Sequence, residues 1–146
     1  MATRSTIALE YADGTVDQVY CHWDGYLDNN GKILYNHYTD PFKVQRLMDL
    51  GDISSLDTEI GDEHDFDSRG EGTTFYGRDR GEEGTGAKRF KDFADYEKNH
   101  QYEEYEYCLR RDGHWYVSQY GRSYELLGDA IANELKERAE EEEALM

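Results

Sequence analysis

An α+β fold is expected here: an antiparallel sheet of four or five strands, built on two hairpins and packed by two main helices. Three features lead to it. The β-rich runs "STIALEY" and "VDQVYCHW" flank "ADGT", where Asp13-Gly14 is a hairpin signal, because glycine accepts the positive φ of such turns. "YEEYEYCLRR" and "HWYVSQ" flank a second such pair, Asp112-Gly113. Between and after the hairpins lie "DPFKVQRLMDLG" and "SYELLGDAIANELKERAEEEEALM", which repeat apolar residues at helical spacing. A chain of 146 residues suits one domain over 1–146, with an acidic loop at about 52–72 and a frayed acidic helix end at about 138–146.

Along the first hairpin, alternation puts Val16, Gln18, Tyr20 and His22 on one face and Asp17, Val19, Cys21 and Trp23 on the other. Cys21 and His22 therefore point to opposite sides of the sheet. Asp24-Gly25 is expected to turn the chain out of the strand, with Trp23 packing inward. "KILYNHY" reads as a short helix leading into the next one. That next helix has Asp40 as N-cap, Pro41 at its first position and Gly51 as C-cap, with Val44, Leu47 and Met48 on its apolar face.

From Asp49 to Glu71 there are nine acids and one base, Arg69, a net charge of −8 in 23 residues. Few apolar residues and closing glycines make this an acidic loop. "TTFYG" is a short strand entering "RDRGEEGTG", a charged glycine-rich loop, and "KDFADYEKN" reads as a short helix. In the second hairpin Tyr105, Tyr107 and Leu109 share a face, as do His114, Tyr116 and Ser118. The final helix should bury Leu127, Ile131 and Leu135, with Leu126 and Ala130 beside them. Trp23, Tyr105, Leu109, Trp115, Leu47 and Leu127 are the expected core.

Charge narrows the partners. Thirty-three acids against sixteen bases give −17, which repels nucleic-acid phosphate and anionic lipid. No direct nucleic-acid or membrane contact is expected; no apolar run nears the roughly 18 residues of a span. "MATRSTIALEY" lacks the apolar core of a signal peptide, and two cysteines suit free thiols in a cytoplasm. Thirteen tyrosines, five phenylalanines and two tryptophans supply a core that so polar a chain otherwise lacks.

The chemical motifs are weak. Cys21 and Cys108 stand 87 positions apart, and no CxxC or HxxxH spacing occurs, so no metal site and no cofactor are expected. "DEHDFDSRGEG" opens like a calcium loop, but Arg69 occupies a ligand position and Tyr76 replaces the bidentate glutamate. No GxSxG elbow is present, and no catalytic residue is assigned; His22 and Asp24 lie close enough in sequence to pair, with His37 as a third partner in space. "FYGRDRGEEGTG" lacks the Lys-Ser/Thr of a phosphate loop, yet Arg78 and Arg80 beside Phe75 and Tyr76 suit an anion clamp. The competing reading pairs both arginines with Asp79, Glu82 or the acidic loop.

"TRSTIALEYADGTVDQVYCHWDGYL", "HYTDPFKVQRLMDLGDISSL" and "FYGRDRGE" together resemble a family of small acidic proteins encoded by tailed phages and mobile elements. The likeness covers residues 1–92 and returns weakly at "EYEYCLRRDGHWYV". It implies a phage origin and a bacterial cytoplasm, and it assigns no role to any position. With that origin, the acidic surface becomes the leading site: Asp57, Glu59, Asp62, Glu63, Asp65, Asp67 and Glu71 would engage a basic host protein, one of defence or nucleic-acid handling, by imitating DNA charge. The alternative is a binder, or small enzyme, of a nucleotide-like anion, held by His22, Asp24, Tyr26, Tyr76, Arg78 and Arg80. Oligomeric state is left open, a homodimer included.

Overall fold

The computed structural model describes residues 2–68 and 70–146. In chain order it contains β1 (Ser5–Glu10), β2 (Val16–Cys21), a single π turn (Leu27–Gly31), α1 (Lys32–His37), α2 (Pro41–Leu50), β3 (Ile53–Ser55) and β4 (Thr74–Phe75). There follow α3 (Tyr76–Arg80), β5 (Lys88–Phe90), α4 (Phe93–Asn99), β6 (Tyr105–Leu109), β7 (Trp115–Gln119), β8 (Glu125–Leu126) and α5 (Leu127–Leu145). Arg69, read above as interrupting a calcium loop, lies outside the described residues.

Both expected hairpins form. Ser5 faces Cys21 and Glu10 faces Val16 in the first; Tyr105 faces Gln119 and Leu109 faces Trp115 in the second. What joins them overturns the antiparallel sheet of four or five strands. The sheet has eight strands in the order β4-β3-β2-β1-β6-β7-β8, with β5 also paired to β2. It is mixed: β1 runs parallel to β6 at its centre, and β2 runs parallel to β3. The reason is geometric. Each hairpin offers its first strand to the other, and two first strands running the same way must pair in parallel. β3 and β5 extend the outer edge of β2 end to end, at Cys21 and at Val16–Gln18. Strands this short carry no alternation to read.

A parallel pair at the centre is usually covered on both faces, and β1 is buried at all six positions. On one face Ile7, Leu9, Val19, Cys21, Tyr107, Leu109, Trp115 and Val117 meet α1, α2 and α5. The α2 boundaries follow its sequence: Asp40 Oδ1 accepts from Phe42 N at 3.0 Å, Pro41 starts the helix, and Gly51 ends it at φ 85°. Its Val44, Leu47 and Met48 are buried, each contributing about 1.5–3 kcal/mol through area removed from water. The opposite face carries a smaller cluster, Ala8, Val16, Phe90, Tyr96 and Cys108, flanked by Phe93 and Tyr124.

Several local expectations need correcting. Trp23 does not pack inward; it is 37 % exposed and stands edge-on to His22, ring centres 4.8 Å apart. The strand ends at Cys21, so Trp23 lies beyond it, and Asp24 then turns the chain at φ 57°. Tyr105, at the first position of β6, is only half-buried, its ring tilted against that of the exposed Tyr120 with centres 5.4 Å apart. Leu127 and Ala130 are buried, but Leu126 and Leu135 are 40 % and 50 % exposed, because only the first turns of α5 lie against the sheet. Beyond them, Arg138 ties α5 to Asp28 of the π turn at 3.5 Å. Residues 76–80, expected as the end of a strand and the start of a loop, form the helix α3. Among the described residues no helix is long and apolar enough to cross a membrane.

Candidate functional site

The acidic segment has almost no ladder of its own, so its backbone carbonyls need other donors. Arg78 supplies them. Its Nη1 donates to Gly61 O at 2.8 Å, and its Nη2 to Thr73 O at 2.9 Å and Ile60 O at 3.3 Å. Its Nε donates to Asp79 Oδ1 at 3.0 Å, and its guanidinium lies 4.8 Å from the Phe75 ring centre. The Asp79 side chain is fully buried and also accepts from Phe75 N at 2.8 Å and His64 N at 3.1 Å. Burial raises the pKa of that carboxyl, but Arg78 and the two N–H groups outweigh it and hold it below its ordinary value.

Further ties fix both arms of the segment. Thr73 Oγ1 accepts from Asp57 N and donates to Glu59 O, both at 3.0 Å. Tyr38 OH donates to Asp57 O at 2.7 Å, and Lys43 Nζ donates to Thr58 O at 2.7 Å. Gly72, at φ 114°, lets the arms touch: a Cβ there would sit 2.8 Å from Ile60 O.

This frame leaves the carboxylates outside. Glu59, Asp62, Glu63, Asp65, Asp67 and Glu71 are exposed; Asp57 is half-buried, its Oδ1 accepting from Thr58 N. Glu59 lies 3.4 Å from Lys43 Nζ. Among the described residues, no cation lies within ion-pairing distance of Asp62, Glu63, Asp65, Asp67 or Glu71.

The alternative constellation is not brought together. His22 Nδ1 is bonded to Tyr20 OH at 2.7 Å, Asp24 is exposed in its turn, and Tyr26 is 40 % exposed. Arg78 spends its donors on the acidic segment. Arg80 pairs with Glu82 at 3.0 Å and lies over the rings of Phe66 and Tyr76, at 4.8 and 5.4 Å from their centres. No hydrogen bond or ion pair links the His22–Tyr26 half to the Tyr76–Arg80 half among the described residues. The turn serves packing instead: Tyr107 OH donates to Gly25 O at 2.6 Å, and Asn30 Nδ2 reaches Ser5 Oγ at 3.2 Å. His37 is exposed, away from any pairing with Asp24.

Both thiols are buried, on opposite faces of the sheet. Burial pushes Cys21 up to about 11 and Cys108 higher still, so neither is a thiolate near neutral pH.

Sequence reasoning missed the polar constellation on the second face. His100 is buried; its Nδ1 lies 2.6 Å from Tyr96 O and its Nε2 lies 2.9 Å from Oε1 of the buried Glu106. A carbonyl accepts, and so does an ionised carboxylate, so against a charged Glu106 the ring holds a proton on each nitrogen. Burial lowers the His100 pKa, but the bond and charge of Glu106 outweigh it and the net direction is upward. The pair lines an open cavity of about 430 Å³, together with Glu97, Tyr102, Arg110 and Arg122. One signal for it was present. Alternation along β6 sets Glu106 opposite to Tyr105 and Tyr107, and an inward glutamate on a sheet covered on both sides needs a cation.

Comparison with known proteins finds no matching family model, no matching curated protein and no matching solved structure.

Proposed function

We propose that this chain is a phage-encoded interaction protein that binds a basic surface of a bacterial host protein in the cytoplasm and inhibits it. The target handles nucleic acid or serves defence, and the carboxylates of the 57–71 segment occupy the surface that meets phosphates. One observation carries this reading. The segment is pinned from within by Arg78 and Thr73, while most of its carboxylates stand exposed. A backbone already pinned loses little freedom on binding, and the exposed carboxylates it carries set the potential that steers a basic partner. A −17 chain adds a long-range field of the same sign. The phage origin rests on the sequence strings quoted above.

The test is capture of partners from bacterial lysate, followed by kinetics on the captured protein. Association should slow steeply with salt, since exposed charges are screened within a Debye length of ~8 Å at physiological ionic strength. Reversing Asp62, Glu63, Asp65 and Asp67 to Lys should slow association about tenfold or more with the melting temperature held. A partner whose affinity ignores both salt and the four reversals ends this reading.

A further inference from the structure

We propose that the cavity on the second face of the sheet is a binding site for a small anion carrying a flat ring, its carboxylate or phosphate held by Arg110 and Arg122. This site is separate from the acidic segment and independent of any protein partner.

Four features argue for it. At about 430 Å³, the cavity falls in the range that small-molecule sites occupy, roughly 300–1,000 Å³. Arg110 is clamped before any ligand arrives: its Nε donates to Glu10 Oε1 at 2.9 Å, and its guanidinium lies 3.5 Å from the Phe93 ring centre. Its two terminal nitrogens donate to no described residue. A planar fork with its orientation set and its outer edge unspent suits a carboxylate or phosphate, which it grips bidentately. Arg122 is exposed at the same rim, with no carboxylate in ion-pairing distance among the described residues.

The third feature is charge. Glu106 would repel an anion, but the His100 ring bonded to it at 2.9 Å cancels that charge inside the wall when protonated. Against the three cationic side chains on the lining stand Glu97 and Glu106, and Glu10 sits behind Arg110. With His100 protonated, the cavity is thus close to neutral in a chain of −17, and an anion is not driven off there. The fourth is a flat surface for the ring. Tyr102 is 63 % exposed yet held, its OH donating to Glu97 O at 3.1 Å and its ring centre 4.2 Å from that of His100. An immobilised exposed aromatic offers stacking at little cost in freedom.

The test is titration of the intact chain with adenosine monophosphate, 4-hydroxybenzoate and inorganic phosphate, followed by amide shifts of His100, Tyr102, Arg122 and Ser123. At least one of the two ring-bearing anions should saturate these shifts, about tenfold more tightly than inorganic phosphate, the difference being the stacking on Tyr102. The nucleotide and the benzoate tell a phosphate-bearing ligand from a carboxylate-bearing one. Arg122→Ala, on an exposed rim, should weaken that binding about tenfold, and Glu97→Gln should tighten it a few-fold. Reversal of Asp62, Glu63, Asp65 and Asp67 should leave it within about twofold at physiological salt. The proposal falls if neither ring anion saturates by about 10 mM, if inorganic phosphate binds as tightly, or if both Arg122→Ala and Glu97→Gln leave affinity unchanged.

Discussion

The acidic segment and the second-face cavity each hold an arginine fixed by a buried carboxylate, Asp79 in one and Glu10 in the other, and they use the arginine in opposite ways. In the acidic segment Asp79 anchors Arg78, and Arg78 then spends its terminal nitrogens on the carbonyls of Ile60, Gly61 and Thr73. Nothing is left for a ligand, and the result is an ordered display of outward carboxylates. On the second face Glu106 is satisfied by His100, and the nearby Arg110 is fixed through Nε and its flat face with its outer edge unspent. An arginine beside aromatics in a sequence looks the same in both cases. Whether it is mortar or a binding group depends on how many backbone acceptors the fold brings to it.

The largest test of this contrast is Asp79→Ala. It strands the Arg78 charge and two N–H groups in a buried place, and the loss should be about 3–5 kcal/mol in urea unfolding. Amide protons of residues 57–73 should lose hydrogen-exchange protection well before those of β6 and β7. A loss under about 1 kcal/mol would mean that the segment is held elsewhere.

Next comes Glu106→Gln, expected to cost about 1.5–3 kcal/mol by removing the charged partner of His100. The two regions should also separate by pH. The folded His100 value lies above the ordinary histidine value of about 6.5, so its contribution is complete below about pH 6.5 and is lost as pH rises through the folded value. The folded Asp79 value lies below the ordinary aspartate value of about 4, so its contribution is present above that pH and is lost as acid passes the folded value. Unfolding midpoints across pH should show both flanks in the native chain. In Glu106→Gln the alkaline loss should vanish while the acid loss stays; an alkaline loss that persists assigns that titration to another group.

The smallest effect should come from His22→Ala. His22 is half-buried at the strand end, its ring bonded to Tyr20 and flanked by the exposed Trp23, so stability should change by no more than about 1 kcal/mol and partner binding should hold. Loss of partner binding at an unchanged melting temperature would make the turn a site after all.

Local chemistry was enough for α2, whose Asp40, Pro41 and Gly51 cap it wherever it packs, and for both hairpins, whose Asp-Gly turns and alternation act over a few residues. It also set the charge and the outward character of the 57–71 segment. Tertiary structure decided the rest. The parallel β1–β6 pair joins residues about a hundred positions apart, and β3, β4, β5 and β8 are two or three residues long, formed because an existing edge offered partners. The alternation read along β6 placed Glu106 away from Tyr105 and Tyr107, yet only a sheet covered on both faces turns that position into a buried carboxylate seeking His100. Trp23 and Leu135 make the same point from the other side. Both carry the apolar surface for burial, and neither found a neighbouring element to supply it. Turns and caps are settled by interactions within one or two turns of chain, whereas burial and the spending of hydrogen-bond donors depend on what the rest of the molecule brings alongside.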